Sequence, residues 1–163
     1  MTDLRISPAR GDADIAAAGD LFMAYAQFLE DDFGIDLAFQ DFAEELAGLP
    51  GRYAAPEGEI LIARDKGGAC VGCIAFRRYD AESCEMKRLY VAPEMRRQSL
   101  GTRLVNALVV KARDRGYRRM ILDTAEFLGA ATSLYEGYGF VEIPPYNDSP
   151  VPGMRYFALD LQA

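Results

Sequence analysis

The amino-acid sequence predicts a single α/β domain with a mixed central sheet. Three observations predict it. Segments with strand-like and helix-like patterns alternate from Leu4 to Leu161. Three strand-like segments, residues 59–64, 69–79 and 84–91, follow one another through short turns and imply an antiparallel run. Residues 84–124 then run strand, helix, strand, the pattern of a right-handed crossover to a parallel neighbour.

Residues 4–8 form an opening strand. A helix follows over 12–29, with Ile15, Ala18, Phe22, Tyr25 and Leu29 on one stripe and Asp12 or Asp14 as its cap. It ends in the acidic, aromatic patch Glu30-Asp31-Asp32-Phe33-Gly34. A second helix spans 39–47, with Phe39, Phe42, Ala43 and Leu46 on one side, and Leu49-Pro50-Gly51 breaks it. Asp65-Lys66-Gly67-Gly68 is a hairpin turn between the strands 59–64 and 69–79. The helix 100–115 has the clearest period: Leu100, Leu104, Leu108 and Ala112, flanked by Val105 and Val109. Lys111, Arg113 and Arg115 suit its negative end, and Gly116 terminates it. A strand over 118–124, a helix over 130–138, a strand over 140–143, a Pro- and Asn-rich loop and a closing strand over 154–161 complete the chain. The total is about six or seven strands and about four helices.

The bulk numbers exclude several function classes. The chain has 163 residues, of which 50% are hydrophobic and 26% charged, ordinary for one globular domain. A net charge of −7 opposes nucleic-acid binding, which needs a broad positive field. No apolar run approaches the roughly 20 residues of a membrane span, so no membrane association is expected. An odd cysteine count (three) and no secretory leader pattern give the expectation of a reducing cytoplasm. There is no histidine, so a His-based triad or His-rich metal site is excluded and no metal is expected. Acid–base chemistry falls to Asp, Glu, Tyr, Cys, Lys or water. Cys70 and Cys73 spell C-x-x-C on a strand. Strict alternation sends residues three apart to opposite faces, so both are expected as apolar filler, as is Cys84.

The chain is organised around residues 84–108, CEMKRLYVAPEMRRQSLGTRLVNAL. This is a strand stopped by Pro93, a basic loop of Arg96, Arg97 and Gln98, and a helix opening at Ser99-Leu100-Gly101. A helix start presents about four unpaired N–H groups and the positive end of its dipole. With two arginines beside it, the junction suits a phosphate or pyrophosphate. No Walker lysine follows Gly101, which excludes a P-loop nucleotide site.

Two motifs carry a family resemblance. One is Arg96-Arg97-Gln98-Ser99-Leu100-Gly101, at a strand–loop–helix junction. The other is Ala131-Thr132-Ser133-Leu134-Tyr135-Glu136-Gly137-Tyr138-Gly139-Phe140, an A-x-x-L-Y-x-x-x-G-F pattern. With these the chain resembles the GCN5-related N-acetyltransferase superfamily over nearly its whole length. Arg96 and Gly101 match the family's loop signature. Arg97 and Ser99 stand where glycines are usual, and Leu128 stands where an asparagine is often found.

The resemblance implies a mostly antiparallel sheet whose central strands splay to form an acyl-CoA cleft. It implies acetyl transfer from acetyl-CoA to an acceptor, a primary amine of a small molecule or peptide, and it allows a homodimer. By position, Arg96, Arg97, Gln98, Ser99, Leu100, Gly101 and Thr102 would receive the pyrophosphate. Arg96 and Arg97 are otherwise a solvated pair, and Ser99 otherwise a plain N-cap. A backbone N–H of Leu89, Tyr90 or Val91 would polarise the thioester carbonyl, unless the sheet ladder there is intact. Tyr135 matches the family's general acid, or else is an aromatic packing residue. Glu85 is expected either as base or substrate anchor, or in a salt bridge to Lys87, Arg88 or a neighbouring strand. Alternation would put it on the face of Leu89 and Val91. Tyr25, Phe28 and Tyr146 are the acceptor-side candidates. The alternative function is a non-catalytic CoA-binding or sensor domain of the same fold, which needs neither Tyr135 nor Glu85.

Overall fold

The computed structural model describes residues 3–37 and 41–163. It contains one seven-stranded sheet in the order β1-β2-β3-β4-β5-β7-β6. The strands are β1 (Arg5–Pro8), β2 (Glu59–Arg64), β3 (Cys70–Arg78), β4 (Ser83–Val91), β5 (Arg119–Ala125), β6 (Val141–Ile143) and β7 (Met154–Asp160). The helices are α1 (Gly11–Phe33), α2 (Phe42–Ala47), α3 (Leu100–Asp114) and α4 (Gly129–Tyr138). The strands β1 to β4 are antiparallel in sequence order, and α3 carries the chain from β4 to a parallel β5. The expected start of the second helix, at Phe39, lies outside the described residues.

Two cores sandwich the sheet. Below α3 and α4 the predicted stripe of Leu100, Leu104, Val105, Leu108, Val109 and Ala112 is buried against Leu61, Ile74, Phe76 and Phe157. On the other face α1 buries Ala18, Leu21 and Phe22 against Tyr53, Ile60, Ile62 and Ala75. Full burial of side chains of this size stabilises by about 1.5–3 kcal/mol each. Gly116 takes φ +87° just past α3, where Tyr117 N–H bonds Ala112 O, closing the helix as its sequence implies. α1 runs one turn beyond the predicted 29 and ends at Gly34, in the left-handed region at φ 67°.

Strict alternation fails at two strand positions. In β3, Ala63 pairs with Gly72 but Arg64 with Cys70, leaving Val71 as an extra residue. Cys70 and Cys73 therefore both pack on the α1 side, contrary to the expectation from alternation; both are free thiols. In β4, Cys73 pairs with Tyr90 and Ala75 with Lys87, so Arg88 and Leu89 share the single partner Ile74. Arg88 has φ 63°. This second bulge decides which side chains face which way in the site.

Candidate active site

The sheet parts where the sequence has its basic loop. β4 and β5 are in register for only Ser83–Arg119, Cys84–Met120 and Glu85–Ile121. Beyond these, β4 runs on to Val91 and β5 to Ala125 without pairing. The backbone groups of β4 facing β5 past Glu85 therefore have no ladder partner. One of them, Val91 O, accepts from Arg96 Nε at 3.0 Å. A cleft of about 580 Å³ occupies the gap.

The bulge at Arg88 sorts the residues of β4. Cys84, Met86, Leu89 and Val91 pack on the α3 side, and Tyr90 on the α1 side. Glu85 therefore does not share a face with Leu89 and Val91, because the extra residue reverses the alternation between them. Leu89, Tyr90 and Val91 all line the cleft.

The loop to α3 is built from strained backbone. Arg97 and Ser99 have φ 67° and 62°, in the left-handed region. Non-glycine residues there cost about 1–2 kcal/mol each, which is the physical reason a glycine suits both positions. Ser99 is the N-cap of α3 but its hydroxyl makes no cap hydrogen bond. An N-cap side chain reaches the first turn from extended backbone, and Ser99 is not extended. Gly101 packs closely on α4: a Cβ there would stand 2.9 Å from Leu134 Cδ1, and the end of that leucine would have to move. Arg96 is exposed, yet held in place. Its guanidinium stacks 4.6 Å from the Phe28 ring centroid and 5.8 Å from that of Tyr90. Arg96, Arg97, Ser99, Leu100, Gly101 and Thr102 line the cleft. Gln98 does not; its side chain bonds Glu94 O at 3.3 Å. The first residues of α4, Gly129 and Ala130, also reach the wall, so two helix N-termini meet there.

Tyr135 lies on α4, 6% exposed, against Phe140 and on the cleft wall. Burial pushes its phenol pKa up, with the charge of Tyr25 and of Asp123 adding to it. It stays a neutral O–H donor at ordinary pH. Tyr25 and Phe28 line the same cleft.

Glu85 is placed differently from an exposed base. It is 4% exposed and absent from the cleft wall. Arg77 Nε of β3 donates to its Oε1 at 3.0 Å, and Tyr146 O–H to its Oε2 at 2.7 Å. Tyr146 is likewise off the wall, stacked edge-on between Tyr79 and Tyr156. The residues that do reach the cleft there are Lys87 and Asp123, neither singled out from the sequence. Lys87 Nζ stands 3.8 Å from Asp123 Oδ1 and 4.0 Å from Glu85 Oε2. Asp123 Oδ2 accepts from Asn147 Nδ2 at 2.9 Å. A signal existed: Lys87 and Asp123 are charged residues within strands that are otherwise largely apolar.

The sequence pattern of the Acetyltransferase (GNAT) family matches residues 21–140. The chain belongs to that family. As a GNAT protein it is an acetyl-CoA-dependent N-acetyltransferase. An uncharacterized N-acetyltransferase of Schizosaccharomyces pombe is 39% identical over 143 residues, covering 87% of each chain. One from Dictyostelium discoideum is 27% identical, covering 80% of this chain and 86% of its own. The acetyltransferase from Streptococcus agalactiae 2603 superimposes with a TM-score of 0.78 at 25% identity, covering 96% of this chain and 98% of its own. A GNAT-family acetyltransferase from Staphylococcus aureus MU50, 18% identical, has the same fold with a TM-score of 0.79, covering 97% and 99%. Another structure, from Salmonella typhimurium, was solved with its cofactor acetyl-CoA; it is 21% identical with a TM-score of 0.71, covering 97% and 94%. The GNAT assignment joins the two motifs: the splay separates the loop signature on β4–α3 from the Tyr135 motif on α4, across one cleft.

Proposed function

We propose that this GNAT enzyme moves an acetyl group directly from acetyl-CoA to an amine of a small molecule or peptide, inside the gap between β4 and β5. The observation that carries the reading is the pairing of Tyr135 and Asp123 on the walls of one splayed cleft. The loop Arg96–Thr102 and the N-terminus of α3 suit the pyrophosphate: free N–H groups, a helix dipole and the exposed Arg97. An unpaired N–H of β4 polarises the thioester carbonyl. The amine nitrogen's lone pair forms the new C–N bond as the C–S bond breaks. Tyr135 gives its proton to the departing sulfur. The amine's proton goes to a carboxylate. Asp123 is better placed for this than Glu85, because it lines the cleft while Glu85 lies behind it, held by Arg77 and Tyr146. Glu85 then acts through Lys87 and Tyr146, fixing the floor of the site.

No covalent enzyme intermediate and no metal enter this scheme. Three free cysteines, two of them buried, suit a cytoplasmic location. The test is release of CoA thiol from acetyl-CoA across an amine panel. Wild type is expected to turn over, and Asp123→Asn to lose about 10²-fold or more in kcat while still binding CoA. An Asp123→Asn enzyme as fast as wild type would sink its assignment as proton acceptor.

A further inference from the structure

The floor of the cleft holds a buried cation, Lys87, in loose ion pairs with Asp123 and Glu85. Lys87 is 8% exposed and reaches the cleft wall. Its nearest carboxylate oxygens, at 3.8 and 4.0 Å, lie beyond hydrogen-bond reach. Among the described residues no hydrogen bond to its ammonium is found. The neighbouring arginines are engaged: half-buried Arg77 by Glu85 and buried Arg88 by Glu45, the latter through two bonds of 2.9 Å. An ammonium carries three donors, and leaving them unmet away from water is costly. Burial accordingly depresses the Lys87 pKa, against the pull of Asp123 and Glu85.

We propose that the acceptor is a free α-amino acid, with its carboxylate received by Lys87 and its amine by Asp123. This deepens the acetyltransferase reading and rests on it. An α-amino acid carries both charges on one carbon, so its site must offer opposite charges a few ångströms apart. Lys87 and Asp123 meet that requirement from opposite sides of the splay, at 3.8 Å. The incoming carboxylate supplies the acceptor that Lys87 lacks. The ammonium replaces part of what Asp123 loses as Lys87 turns to the ligand. A phosphate in place of the carboxylate brings a second negative charge against Asp123 and Glu85 and is disfavoured. A peptide amino terminus presents a neutral amide to Lys87, and a simple amine presents nothing. In the transfer step the ammonium gives one proton to Asp123, which passes it to solvent. The freed amine forms the C–N bond as the C–S bond breaks, and Tyr135 protonates the departing sulfur. The nitrogen's second proton goes to the Asp123 carboxylate, solvent restoring the proton of Tyr135.

The experiment follows CoA thiol release by the full chain with matched sets of acceptors: free amino acids, their carboxamides and the corresponding decarboxylated amines. The free acid is expected to exceed its carboxamide by at least about tenfold in kcat/KM, because only the acid forms the charged contact. Lys87→Met should raise KM for the acid and bring that ratio toward one. Lys87→Arg, which keeps the charge, should restore part of it and serves where Lys87→Met does not fold. Carboxamides or decarboxylated amines turned over as fast as the free acids overturn this proposal alone, as does an unchanged ratio in folded Lys87→Met. No thiol release with any amine overturns the acyl-transfer reading and this proposal with it.

Discussion

Tyr135 remains a proton donor because water cannot stabilise its anion. Its ring is buried between α4 and Phe140, and that burial raises the phenol above its ordinary 10.0. The consequence is a pH profile without a tyrosine limb: kcat of the wild type should stay flat on its alkaline side through pH 10, as far as the fold survives. On the proposed role of Tyr135 as proton donor to sulfur, Tyr135→Phe should lower kcat by about 10²-fold with little change in CoA affinity. A fall in kcat with an apparent pKa at or below 10 that vanishes in Tyr135→Phe would show that burial does not raise the phenol. The same desolvation governs the thiols. Burial pushes Cys84 up to about 12 and Cys73 higher, while Cys70 is partly exposed. A thiol reagent at pH 8 should therefore label Cys70 in the native protein, and all three cysteines only after denaturation. Rapid native labelling of Cys84 would contradict its burial.

At the scale of elements, the loop into α3 trades backbone strain against its place in the cleft. Arg97 and Ser99 both occupy left-handed backbone that glycine adopts freely. Ser99→Gly relieves that strain but loosens the unfolded chain, and a net gain of about 0.5 kcal/mol is expected. Chemical denaturation would measure it, and a loss of stability would mean that the serine hydroxyl has a role of its own. Gly101 is constrained from the other side. Leu134 leaves a Cβ only 2.9 Å, so α3 and α4 touch at this residue. Gly101→Val is expected to cost about 2 kcal/mol by overpacking and to raise KM for acetyl-CoA, because it displaces one wall of the cleft. Unchanged KM with the cost in stability would separate packing from ligand geometry. The bulge at Arg88 is the other decisive element. It turns Arg88 toward α2, where Glu45 and the Phe42 ring hold it, and frees Leu89 and Val91 for the α3 side.

At the scale of the molecule, one buried carboxylate ties distant parts together. Glu59 opens β2, fully buried, and takes ion pairs from Arg10 before α1 and Arg115 at the end of α3. Burial raises its pKa, yet the hydrogen bonds and charges of the two arginines outweigh this and hold the carboxyl below its ordinary value. The stability this supplies is present above the unfolded carboxylate's 4.5 and is lost as pH falls through the folded value. Glu59→Gln should cost about 3 kcal/mol at neutral pH, the low end for breaking a buried pair because Arg10 is half in water. Its acid unfolding should also be less steep than that of wild type. Equal acid profiles would show that Glu59 is not the group being titrated. The α3 stripe, Gly116, the antiparallel run and the parallel crossover were legible from spacing alone, because periodicity and turn chemistry act over a few residues. The loop signature and the Tyr135 motif also named the family's cleft, and nine of the ten residues expected for acetyl-CoA reach its wall, Gln98 being the exception. The sequence by itself thus determined the elements, their order and the strand–loop–helix junction that lines the cleft. Only the tertiary structure decided which charges enter the cleft. Strict alternation misdirected Glu85 and the cysteine pair, since one extra residue at Val71 or Arg88 reverses every side chain beyond it. Which carboxylate stands open, Asp123 or Glu85, depends on Arg77, Tyr146 and Asn147, contacts between strands that no local pattern encodes.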